Sequence, residues 1–138
     1  MLELDFSGLV AVDLRSRNRP EVLTHVEGDL SVVDGQCELY SEVLFPVLEL
    51  SIELNTWLAA AGGRRSNFHF KSMSFEELGV VRFVRVEDGW RVGSVLRPEV
   101  WSGTFQLKDV EAEVGRFIGE VRRECSALLG VWVLEYFE

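Results

Sequence analysis

Residues 41–61 read SEVLFPVLELSIELNTWLAAA, and two periodicities compete within them. Leu48, Leu50, Ile52 and Leu54 alternate with Glu49, Ser51 and Glu53, as on a half-buried strand. Val47, Leu50, Leu54, Trp57, Leu58 and Ala61 also recur at helical spacing, and Leu44, Leu48 and Ile52 widen that stripe. Pro46 suits an early helical turn, Ala59-Ala60-Ala61 favours helix, and Gly62-Gly63 is a stop signal. Punctuation therefore favours a helix from Ser41 to Ala61 that covers a sheet instead of joining one.

Upstream of it the pattern changes to period two. Leu2, Leu4 and Phe6 alternate with Glu3 and Asp5, and Leu9 to Leu14 continues strand-like after a bend at Gly8. Arg15 to Pro20 is polar and ends in proline, which predicts a loop. Val22 to Val33 reads as a second strand region interrupted by Glu27-Gly28-Asp29, and Asp34-Gly35 as a turn.

Downstream, Phe68 and Phe70 alternate with Asn67, His69 and Lys71, predicting a third strand with a solvated face. Ser74 to Leu78 reads as a turn or one helical turn. Gly79–Val86 and Trp90–Leu96 flank Glu87-Asp88-Gly89, a hairpin signal. A three-residue loop would gather Val80, Val84, Val86, Trp90, Val92 and Leu96 on one face; a two-residue Asp88-Gly89 turn would shift that register by one. Trp101 to Leu107 allows a short further strand.

From Asp109 a helix is expected, with Val110, Val114, Phe117, Ile118, Val121, Cys125 and Leu128 on its apolar stripe. Asp109 is the expected N-cap, Glu111 and Glu113 sit favourably in the first turn, and Gly130 ends the helix. The tail Val131–Glu138 reads as a strand or a packed terminal segment. The order is β-β-α-β-β-β-(β)-α: one α+β domain over residues 1–138, a largely antiparallel sheet against two amphipathic helices.

The formal charge is -9, with 23 acidic against 14 basic residues. A surface of that sign repels phosphate backbones, so no nucleic-acid partner is expected. The segment 62–98 alone is net basic, at +3. No apolar run approaches the roughly 20 residues needed to span a bilayer, and Met1 to Asp5 carries early acids unlike a secretory leader. Cys37 and Cys125 lie far apart without a pairing framework, which fits a reducing, cytoplasmic setting.

Catalytic signatures are sparse. His25 and His69 are the only histidines, and neither shares ligand spacing with the cysteines, so no metal site or cofactor is expected. Gly62-Gly63-Arg64-Arg65-Ser66 lacks the phosphate-loop pattern and follows a helix, so it reads as a stop and a basic solvated loop. No Gly-x-Ser-x-Gly elbow occurs. Glu49 and Glu53 lie four apart on one helical face, and with Glu42 they form an acidic stripe free of basic residues. Trp57 and Trp90 belong to predicted core faces, whereas Trp101, between Pro98 and Gly103, is a candidate interface anchor. Glu42, Glu49, Glu53 and Trp101 are thus the candidate partner contacts, and no residue is assigned to catalysis.

Three segments carry a resemblance: Leu48-Glu49-Leu50 with Leu54, Trp57 and Leu58; Phe68-x-Phe70-x-Ser72-Met73; and Gly89-Trp90-Arg91-Val92-Gly93-Ser94. Across residues 44–96 their order resembles small bacterial proteins of polymorphic-toxin immunity loci. That resemblance implies a cytoplasmic protein that binds and blocks a toxin, one of basic charge by complementarity, without chemistry of its own. Asp88 to Val92 (Asp-Gly-Trp-Arg-Val) is also similar to a strand of cone-shaped nuclear-transport-factor-like domains. That alternative implies a small-molecule enzyme or binding module, with His25, His69 or a buried carboxylate lining a pocket.

Overall fold

The computed structural model describes residues 1–60 and 65–138. The chain is a mixed α+β fold, and the six strands among the described residues form two three-stranded antiparallel sheets instead of one. The first sheet, in the order β1 (Leu2–Val10), β2 (Glu27–Asp34), β3 (Cys37–Phe45), is a meander. The second contains β4 (Phe68–His69), β5 (Arg82–Val86) and β6 (Gly89–Gly93). Helices α2 (Val47–Ala59) and α3 (Leu107–Leu129) pack on each other and on the first sheet, and the sheets meet where β3 touches β6.

Period-two residues at the start of the chain behave as expected: Leu2 and Leu4 are buried, while Glu3 and Asp5 are exposed. The strand ends at Val10, before Leu14. The expected second strand at Val22–Val33 is a correction. Arg19–His25 forms a short helix, α1, and the strand starts only at Glu27. Asn18 caps α1 by accepting the Glu21 N–H at 2.9 Å, and Pro20 occupies the first turn. The turn at Asp34-Gly35 forms, with Gly35 at φ +62°.

Within residues 41–61 the helical period holds only after Pro46, and the alternating Leu48, Leu50, Ile52 and Leu54 all lie on the helix. Ser41–Phe45 belongs to β3, against expectation, and the helix begins after Pro46. Val47, Leu48, Leu50, Ile52, Leu54 and Trp57 are buried. Ala61 and the Gly62-Gly63 stop lie outside the described residues. Arg65, expected in a solvated loop, instead donates to the Trp57, Leu58 and Ala60 carbonyls and pairs with Glu111. It closes the C-terminus of α2, where free carbonyls favour a cation.

The hairpin adopts neither expected register. Val86 pairs with Gly89 and Phe83 with Val92, so the loop is Glu87-Asp88 alone. That shift puts Phe83 on the face of Trp90 and Val92, while Val84 and Val86 turn to the other side and Leu96 is exposed. Trp57, Phe68, Phe83 and Trp90 meet edge-on or tilted, with centroids 5.3 to 6.2 Å apart. Trp101–Leu107 is no strand: Trp101 and Phe105 make single bridges to Gly93 and Trp90, and Leu107 opens α3.

Helix α3 starts three residues earlier than expected, with Gln106 and not Asp109 at its N-cap. Val110, Val114, Phe117, Ile118, Val121 and Cys125 face the core, but Leu128 is exposed. Gly130, at φ +111°, ends the helix. The tail is a 3-10 helix, Val131–Phe137, packed on α3, with Val133 and Phe137 buried.

Candidate partner-binding site

Helical spacing sets Glu49 and Glu53 one turn apart on α2, beside α1. Between them and the segment after β4 lies a cavity of about 330 Å³. Arg19, Pro20 and Leu23 line it from α1, Glu49 and Glu53 from α2, and Lys71, Ser72 and Met73 from the third side. Apolar walls, two carboxylates and two cations converge there.

The two glutamates have different tasks. Glu49 is only 3% exposed. Its Oε1 accepts the Ser72 hydroxyl at 2.5 Å and its Oε2 the Met73 N–H at 3.0 Å. Two donors offset the desolvation of a buried carboxylate, so Glu49 fastens the 71–73 segment to α2. Its carboxylate is buried and bonded within the chain, where an exposed place on an acidic stripe was expected.

Glu53 is exposed at the cavity mouth and takes part in no ion pair among the described residues. Its carboxyl is raised above the ordinary value, first by partial burial and then by the Glu49 charge, with Arg19 and Lys71 pulling the other way. The two cations act on it through space, without an ion-pair contact among the described residues.

Glu42 leaves the expected stripe altogether. It lies on β3, is exposed, and accepts the Tyr40 hydroxyl at 3.1 Å. Burial, and then that carboxylate, push the Tyr40 phenol well above its ordinary value. Trp101 is partly buried, with the Arg82 guanidinium stacked 4.3 Å from its ring centre. Expected contacts Glu42, Glu53 and Trp101 therefore remain accessible but do not form one continuous stripe.

The histidines stay apart from these features. His25 Nδ1 lies 3.6 Å from Glu21 on the same short helix, and His69 is exposed on β4. Among the described residues no group of three or more His, Cys, Asp or Glu could hold a metal ion. No helix is long and apolar enough to cross a membrane among them. A larger cavity of about 550 Å³ lies between the first residues of β1 and α3, lined by Leu2, Phe105, Ala112, Glu113 and Arg116 among others.

What sequence reasoning missed is α1, and with it Arg19 and Leu23 as one wall of the site. Its signal was present: Asn18 as cap, Pro20 in the first turn and Glu21 three residues after the cap.

Fold and site together define a small acidic α+β domain with a mixed-charge cavity against its central helix. The chain belongs to the family described as Domain of unknown function (DUF7878), which it matches over residues 4–127. That match runs from β1 through most of α3. No curated protein and no solved structure matches the chain.

Proposed function

We propose that this chain is a non-enzymatic, protein-binding domain of the cytoplasm that neutralises a cognate bacterial toxin by direct binding. Glu53 carries the reading: an exposed carboxylate at the mouth of a formed cavity, on a chain of net charge -9, without a described ion-pair partner. A lysine or arginine of a basic partner fits that mouth, its apolar stem against Pro20, Leu23 and Met73. Complementary charge would speed encounter and exclude acidic competitors. The free thiols of Cys37 and Cys125 suit a reducing compartment.

The test is co-expression with the product of the neighbouring gene. Rescue of growth, a stable complex and weaker association at high salt are expected. No rescue and no complex would remove this reading.

A second reading, a small-molecule binding or enzymatic module, is favoured by the cavity beside β1, whose volume of about 550 Å³ falls within the usual ligand range. Saturable thermal stabilisation by a small molecule, abolished by Ala112→Trp, would select it.

A further inference from the structure

The end of β3 holds an unexpected residue choice. Pairing passes from Leu30–Glu42 to Gly28–Phe45, so Asp29 alone on β2 faces both Val43 and Leu44. This bulge turns Phe45 inward, where it is fully buried against Tyr40, Phe70 and Phe75. Leu44 makes the turn at φ +51°, the one positive value at a non-glycine among the described residues, and its N–H donates to Asp29 Oδ1 at 3.2 Å. Left-handed backbone suits Gly, Asn or Asp and crowds the Cβ of a leucine.

Seating Phe45 explains the bulge but not the leucine in it. Folding makes little use of the two side chains, for Val43 is 71% and Leu44 58% exposed. A strained backbone is holding adjacent aliphatic groups in water, and strain of this kind collects at functional surfaces. Around the pair stand Glu42 next in sequence, Asp29 across the bulge, and Glu27 two residues along from Asp29. None of these three acids joins an ion pair among the described residues.

We infer that the β3 bulge is a docking knob: Val43 and Leu44 enter an apolar recess on a basic protein partner, while Glu42, Asp29 and Glu27 meet cations at its rim. The inference rests on the partner-binding reading and gives that partner a second point of contact, with an apolar centre and a charged margin. A second copy of the chain fits less well, because pairing β3 on β3 sets Glu38 and Glu42 against like charges.

The experiment measures affinity for the neighbouring gene's product by calorimetry, using the full chain, Val43→Asp, Leu44→Gly and, as a control, Val131→Asp on the 3-10 helix, where Val131 is 78% exposed. Both bulge variants are expected to bind at least about tenfold more weakly, and the control within about twofold of the unaltered chain. Leu44→Gly should melt no lower than the unaltered chain, separating lost binding from lost folding. Normal affinity in both bulge variants overturns the knob and leaves the partner reading standing. Failure of the unaltered chain to bind removes both. A dimer in light scattering that Val43→Asp dissolves would give the knob to self-association and overturn the basic partner.

Discussion

The carboxylate of Glu113 accepts the backbone N–H of Leu4 at 2.7 Å, joining helix α3 to the outer edge of β1 across 109 positions of sequence. Arg116, one turn along, donates to the Leu4 carbonyl at 2.6 Å and to both Glu113 oxygens, at 2.9 and 2.7 Å. Two side chains thereby occupy both hydrogen-bonding groups of one residue on an edge strand. An open edge invites pairing with other chains, and this arrangement closes it where β1 is most buried. Glu113 in turn draws the Arg116 guanidinium further above its ordinary value, chiefly through the hydrogen bond between them.

Replacing Glu113 tests that closure. Glu113→Ala leaves the Leu4 N–H without its acceptor and Arg116 without its main partner, an expected loss of about 2–3 kcal/mol in urea unfolding. Glu113→Gln keeps an acceptor in place and should cost about 1 kcal/mol less than that. Equal losses in the two variants would mean that packing, not the edge contact, is what Glu113 supplies.

The hairpin gives a second test, of register. Gly89 has φ +151°, and a Cβ there would lie 2.4 Å from the Phe105 carbonyl oxygen and 2.9 Å from Thr104 Cγ2. The Phe105 backbone exchanges hydrogen bonds of 2.8 Å in both directions with Trp90, so it cannot retreat cheaply. Gly89→Ala should therefore destabilise by about 2 kcal/mol or more, whereas Gly35→Ala, with nothing within 4 Å, carries only backbone strain of about 1 kcal/mol. Similar midpoints for the two in denaturant would contradict the observed pairing.

Thiol chemistry separates the two cysteines. Cys37 is exposed on β3, while Cys125 is buried on α3, where burial and then the Glu124 charge push its thiol up to about 12. An aromatic disulfide reagent at neutral pH should label one thiol per chain promptly, and the second only at the rate of unfolding. Prompt labelling of two would show that the α3 face opens in the native state.

The long amphipathic helix was legible because its period survives over 23 residues and nearly every apolar position of the stripe lands in the core. Residues 41–61 were half legible: Pro46 divides a strand from a helix, and a single period fitted across both absorbed Ser41–Phe45 into the wrong element. The hairpin was visible, but its register was not. Maximising the apolar count per face favoured Val84 and Val86, whereas the close approach of Phe105 to Gly89 fixes the pairing, and that contact is invisible to local pattern. Glu49 and Glu53 were visible as a pair. Which of them is buried depended on Ser72 and Met73, 23 and 24 residues distant from Glu49.

Glu53 gives the prediction on which the binding site turns. Its carboxyl titrates above the ordinary 4.5 in the folded chain, raised by partial burial and by Glu49. A raised carboxyl means that folding opposes its charged form, so the cost is present at neutral pH, shrinks as pH falls through the raised value, and vanishes below the unfolded value. Glu53→Gln should therefore melt at or above the temperature of the unaltered chain at pH 7, and the two should converge near pH 4. At the same time the variant should lose affinity for a basic partner, and lose the part of the salt dependence that Glu53 supplied. Stability gained and binding lost in one substitution is the mark of a residue retained for recognition. A variant that is less stable at pH 7, with partner affinity unchanged, would make Glu53 a structural residue and leave the cavity without its proposed cation.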